Sequence, residues 1–165
     1  MQEWLAGFIG GLPFELKIVA TLLISMVPII ELRGALPVAA AINLSPYISI
    51  PLAIIGNLIP VPFIILFIKK IFAWMRKVSP KLNAVVDKME AKAEKNKDKV
   101  LKYAFWGLTL FVAIPLPGTG AWTGALVAAM LDMPLKKAFP SILLGVILAG
   151  IIMGLGSYGV VSLLS

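Results

Sequence analysis

The stretch that decides the fold is VPIIELRGALP, residues 27–37, which sets Glu31 and Arg33 two residues apart between apolar arms. Residues 16–30 run apolar until Pro28, Glu31 and Arg33 interrupt them, GALPVAAAINL follows, and Ser45 and Pro46 close the segment. Neither arm reaches the roughly 20 residues that a membrane span needs. Two short arms around a polar, proline-containing break predict a re-entrant hairpin, which is tolerated at membrane depth where its broken backbone faces protein or a watery cavity.

The rest of the chain fits a membrane setting. The 165 residues are 60% hydrophobic and the mean hydropathy is +0.99, well above a soluble domain, which is about half apolar. Residues 47–68, YISIPLAIIGNLIPVPFIILFI, are long enough to span and end at Lys69 and Lys70. Residues 103–114 are again short, run into PLPGTGAWTG at 115–124 and return through 125–134, after which an apolar helix is expected from about Ala138 to Leu164. The N-terminus lacks a positive region and a small-residue cleavage site, so an interfacial helix anchored by Trp4, Phe8 and Phe14 is expected rather than a signal peptide.

Local matches point to a duplication. Gly34-Ala35-Leu36 pairs with Gly124-Ala125-Leu126, Pro46 with Pro134, Pro51 with Pro140 and Gly56 with Gly145, at offsets of 90, 88, 89 and 89. Residues 69–102 hold eleven lysines and arginines against four acidic residues, which accounts for the whole net charge of +7. The positive-inside rule places that loop in the cytoplasm. There Ile71, Phe72, Met75 and Val78, then Leu82, Val85, Met89 and Ala93, recur at helical spacing, and Ser79-Pro80 reads as an N-cap with proline at the first helical position. Two amphipathic surface helices are expected, serving topology and anionic headgroups rather than nucleic acid. With Lys136 and Lys137 also inside, the first span runs inward and the last outward.

The expected fold is therefore an all-α integral membrane protein with an inverted-topology repeat. It forms a single membrane domain over 1–165: a first repeat at 1–68, basic amphipathic helices at 69–102, and a second, inverted repeat at 103–165. Each half is a re-entrant helical hairpin followed by a transmembrane helix, a plan shared by many secondary transporters.

Cysteine and histidine are absent, which removes disulfides, thiolate chemistry and imidazole-based catalysis or metal binding. No nucleophile, base and orienter set is visible, so an enzyme, a metal and a cofactor are not expected. Glu31 and Arg33 are the ionisable pair within the membrane-depth segments, while Lys17 and Asp132 lie near hairpin ends. A charge at membrane depth costs at least about 2.5 to 3.5 kcal/mol on insertion scales, so the pair needs a purpose.

The functional expectation sets the two hairpin tips around a midplane cavity. Pro28 and Pro37 break the first hairpin, and Pro115 and Pro117 the second. The backbone amides of Gly118, Thr119, Gly120 and Ala121 then point inward at a half-helix N-terminus, which binds anions. Arg33 adds a cation for a phosphate, and Glu31 takes up a proton in each cycle. Asn57, Trp122 and Thr123 are second-rank cavity residues. The simpler alternative has Glu31 and Arg33 satisfying each other and holding the tips in place. The glycines of the last helix, Gly145, Gly150, Gly154, Gly156 and Gly159, are expected to serve close helix packing.

PIIELRGALP together with PLPGTGAWTGAL resembles the small multidrug export protein family, related to the DedA (VTT-domain) superfamily, and the likeness extends over nearly the whole chain. The resemblance implies two re-entrant hairpins of opposite orientation in a bacterial or archaeal plasma membrane, and transport through acidic and arginine residues of the hairpins. From the DedA relatives it implies linkage to the proton-motive force and to polyprenyl-phosphate lipids. Those relatives carry an arginine pair in the second hairpin, where this chain has Thr119 and Thr123. Three functions follow as expectations: a small proton-coupled exporter, a lipid flippase or scramblase, or a membrane scaffold. Membrane lipids are the expected partners, and a homodimer is plausible for so small a chain.

Overall fold

The computed structural model describes residues 11, 13–101, 105–116 and 118–164. The expected anchors Trp4 and Phe8, and the expected break residue Pro117, lie outside them. Every regular element among the described residues is an α-helix.

The helices are α1 (Phe14–Met26), α2 (Glu31–Ala41), α3 (Pro46–Leu58), α4 (Pro60–Val78), α5 (Pro80–Leu101), α6 (Phe105–Ala113), α7 (Ala121–Met130) and α8 (Leu135–Leu164). The hairpin arms α1, α2, α6 and α7 are 13, 11, 9 and 10 residues long. At 1.5 Å per residue none exceeds about 20 Å, short of the ~30 Å hydrocarbon core. Among the described residues two helices are long and apolar enough to cross a membrane: Pro46–Val78, in which α3 and α4 follow one another, and Leu135–Leu163. Large apolar side chains such as Phe63, Leu66, Ile151, Ile152 and Leu155 are exposed on them. That is the surface of a helix solvated by lipid.

α1 stops at Val27 because Pro28 follows. The residue before a proline is pushed out of the helical region, and Val27 takes φ −73°, ψ 128°. α2 and α7 end in the same turn. Asn43 and Asp132 hold left-handed φ values of 55° and 53°. The Leu44 amide donates to the Ala39 carbonyl and Met133 to Ala128, while Asn43 donates to Ala40 and Asp132 to Ala129. This is a Schellman termination, with the short polar residues that tolerate a left-handed backbone. Every hydrogen bond of one turn maps on the other at an offset of 89, and so does the next one, Ser49 to Ser45 against Ala138 to Pro134. Ser45, rather than Pro46, is therefore the counterpart of Pro134.

Two further expectations need correction. Pro37 does not break the hairpin; it sits inside α2, where its ring removes only the bond to the Arg33 carbonyl. The helix that carries the first apolar span does not end at Lys69. α4 continues to Val78, because its buried stripe of Val61, Ile64, Ile68 and Phe72 runs through the lysines without a break. The chain turns instead at Ser79-Pro80, where the Ser79 hydroxyl accepts the Lys81 amide at 3.3 Å. The proposed surface helix of residues 71–78 is thus the end of α4, and α5 is a separate helix.

The helices group into two compact units, Met1–Ile59 with Val146–Ser165, and Pro60–Gly145. In the first, α1 packs on α2 and α3, and α2 on α3, around Val38, Ala39, Ile42 and Leu44. The end of α8 joins them antiparallel to α3. Gly150 abuts Ile54 and Gly154 abuts Ile50, and the Tyr158 hydroxyl donates to the Leu44 carbonyl at 2.6 Å. The Lys17 ammonium reaches the Ile42 carbonyl at the end of α2.

In the second unit α4 packs on α5 and α7, α5 on α6 and α7, and α6 on α7. The start of α8 is tied to α6 by polar groups: Ser141 Oγ donates to the Phe105 carbonyl at 2.6 Å, and Thr109 Oγ1 lies 3.0 Å from Ser141 Oγ. Pro62 of α4 shares a cleft with Phe139 and Pro140 of α8. Lys69 pairs with Asp132 at 2.5 Å, so the end of the second hairpin lies beside the lysines that follow the apolar part of α4.

The glycine matches acquire a meaning here. Gly56 lies against the Leu22 carbonyl and Ser25, in α1, and Gly145 against the Thr109 carbonyl and Val112, in α6. In both halves the spanning helix touches the first hairpin arm through a glycine.

Candidate functional site

The first break is a tight turn. The amides of Ile30 and Glu31 both donate to the Val27 carbonyl, at 3.2 and 2.9 Å, and Gly34 donates to Ile30 at 2.9 Å. Pro28 stands in that turn. Its last residue is the unusual one: Glu31 has φ 52°, a left-handed backbone that costs a residue with a side chain roughly 1 to 2 kcal/mol. Asn43 and Asp132 share that conformation at helix ends, where it is ordinary; Glu31 takes it at a helix start and is only 4% exposed.

Arg33 lies within coulombic range of Glu31 and is partly buried. A carboxylate in the first turn of α2 also meets the positive end of the helix dipole. Asn57 belongs to the same unit, on α3, which packs against both arms of this hairpin. It is 1% exposed, and its Oδ1 has no hydrogen-bond partner among the described residues. A buried, unpaired acceptor of this kind costs about 1 to 3 kcal/mol, so Asn57 stands ready to receive a donor.

The second break, in the other unit, is made of backbone. Gly118 and Gly120 have φ of 87° and 129°. Pro115 lies between α6 and α7. The Thr119 amide donates to the Leu116 carbonyl, and its hydroxyl lies 2.7 Å from the Ile114 carbonyl and 2.9 Å from that of Leu116. Thr119 thus braces the loop. α7 begins after Gly120 with no side-chain cap hydrogen bond, and the fully buried Ala121 opens its first turn. Thr123 follows in the same turn, partly buried.

A cation reaches this break from elsewhere in the chain. A Cβ on Gly118 would meet Lys92 Cε and Nζ at 3.2 and 3.3 Å. Lys92 belongs to α5, and its sequence context gives no hint of the role, since it is one lysine among many in a basic helix. Trp122, by contrast, lines an apolar groove against α4.

The structure thus gathers Glu31, Arg33 and Asn57 in one unit, and Gly118, Thr119, Gly120, Ala121, Trp122 and Thr123 in the other. Residues 31–152 match the model of a protein family described as "Putative small multi-drug export protein". The chain belongs to this family. The match begins at Glu31, the last residue of the first break, and takes in the whole of Pro46–Val78, the second break and α8 as far as Ile152. No curated protein and no solved structure matches the chain. Membership makes the chain a membrane protein of an export family, a transporter class rather than an enzyme class.

Proposed function

We propose that the protein is a proton-coupled exporter of the plasma membrane, built from two re-entrant hairpins of opposite orientation, with Glu31 as its coupling carboxyl. One observation carries this reading: Glu31 is a buried acid at the break between α1 and α2, held in a left-handed backbone beside Arg33. Strain retained at a buried ionisable residue marks a working site. Arg33 compensates the carboxylate while it is ionised, and Asn57 offers an acceptor within the same unit.

The antiparallel course of α3 and the end of α8, and the shared turns at Asn43 and Asp132, support the inverted repeat. Transporters with such a repeat bind substrate near the bilayer centre and expose it to either side in turn. In this reading the first-turn amides of α7 take an anionic group, and Glu31 a cationic one or a proton. The basic segment 69–102 lies in the cytoplasm, with Lys136 and Lys137.

The test is proton movement by the purified protein in liposomes with an acid lumen. Adding the lipophilic cation tetraphenylphosphonium outside is expected to speed collapse of the pH gradient severalfold over protein-free liposomes. Equal rates with and without protein, both for this cation and for lipophilic anions, would sink the exporter reading.

A further inference from the structure

The groove that Trp122 lines is distinct from both hairpin breaks. Its long wall is α4, where Pro60, Phe63, Phe67, Ile71 and Trp74 recur at three- and four-residue steps, and it encloses about 580 Å³. Phe63 and Trp74 are each 62% exposed, which leaves the groove open along its side. The helix rises about 21 Å from Pro60 to Trp74, enough for one leaflet, about half of the ~30 Å core, and its headgroup border. Trp74 then sits where membrane tryptophans gather.

Charge decides the occupant. Lys70 lines the groove toward its Trp74 end. Its neighbour Lys69 is paired with Asp132, and Arg76 is paired with Asp87 and Glu90, whereas Lys70 has no ion pair among the described residues. An apolar trough with one uncompensated ammonium at its end fits an amphiphile with an anionic head. A lipophilic cation would be repelled there. A two-fold contact with a second copy would bury an uncompensated lysine from each protomer.

We propose that this groove is a binding site for an anionic phospholipid, its phosphate on Lys70 and one acyl chain laid along Phe67 and Phe63 toward Pro60. The proposal is independent of what the hairpins transport.

The test uses the full chain carrying Trp4→Phe and Trp106→Phe, so that Trp74 and Trp122 alone report. The protein is placed in phosphatidylcholine nanodiscs with a small, equal fraction of brominated phosphatidylglycerol or brominated phosphatidylcholine, and quenching is recorded. The anionic lipid is expected to quench at about fivefold lower mole fraction, the effect of one lysine near the headgroups. Lys70→Gln should erase that preference, and Lys77→Gln, on the exposed end of α4, should leave it. Equal quenching by the two lipids, or equal loss in both variants, would reduce the groove to ordinary lipid contact and overturn the proposal. So would absence of quenching by either lipid, as a second copy closing the groove would produce, or displacement of the brominated lipid by tetraphenylphosphonium.

Discussion

Glu31→Gln is expected to bring substrate-dependent proton movement down to the level of protein-free liposomes, while the protein still inserts, purifies and unfolds within a few degrees of the parent. Glutamine has nearly the shape of glutamate and keeps the packing of α2, but it cannot release a proton. Glu31→Gly sharpens the test. Glycine adopts φ near 50° freely, so this variant relieves roughly 1 to 2 kcal/mol of backbone cost and sets that gain against the buried contacts it gives up. It should lose flux as fully as Glu31→Gln does. Two variants, one that keeps the backbone cost and one that relieves it, with the same loss of flux would assign the effect to the carboxyl. Coupled flux retained in Glu31→Gln would leave Glu31 and Arg33 as a structural pair that holds the first break in place.

The second large effect is on stability. A methyl added at Gly56 would lie 2.6 Å from the Leu22 carbonyl oxygen and still nearer Ser25 Oγ, and one at Gly145 would lie 2.7 Å from the Thr109 carbonyl oxygen. Backbone cannot rotate away as a side chain can, so the helices must part. Gly56→Ala and Gly145→Ala should each lose about 1 to 3 kcal/mol, read as a drop in thermal midpoint in detergent. Gly156→Ala adds a methyl where nothing lies within 4 Å and should leave the midpoint unchanged or raise it through helix propensity. Comparable midpoints for all three would mean that the spanning helices do not rest on the hairpin arms through these glycines.

Much of the architecture is legible in the residues because membrane depth punishes polar and proline-containing breaks. Pro28, Glu31 and Arg33 cut the first apolar run, and Pro115 and the glycines cut the second, so the short arms follow directly. The glycine matches at an offset of 89 likewise anticipate a shared contact. What escapes is local and has physical causes. Lys69 and Lys70 mark where the apolar run ends, yet a helix does not stop where such a run does, and α4 continues to Val78. Pro37 looks like a break, but one missing hydrogen bond is tolerated inside a packed helix. The strongest repeat, the paired turns at Asn43 and Asp132, is written in backbone hydrogen bonds over residues that mostly differ.

The site was half legible. A buried acid and arginine in an apolar run announce themselves by their cost. The left-handed backbone of Glu31 does not, since nothing in its neighbours requires it. Lys92 is hidden among the many lysines of α5, and only folding brings it beside Gly118.

The central claim, that the two halves are inverted, is tested most directly by single cysteines at the paired positions Ser45 and Pro134. The chain has no cysteine of its own, and both positions are exposed. A membrane-impermeant maleimide applied to sealed right-side-out and inside-out vesicles should label Ser45→Cys from outside only and Pro134→Cys from inside only. Labelling of both from the same face would contradict the inverted repeat, and with it the alternating access proposed for export.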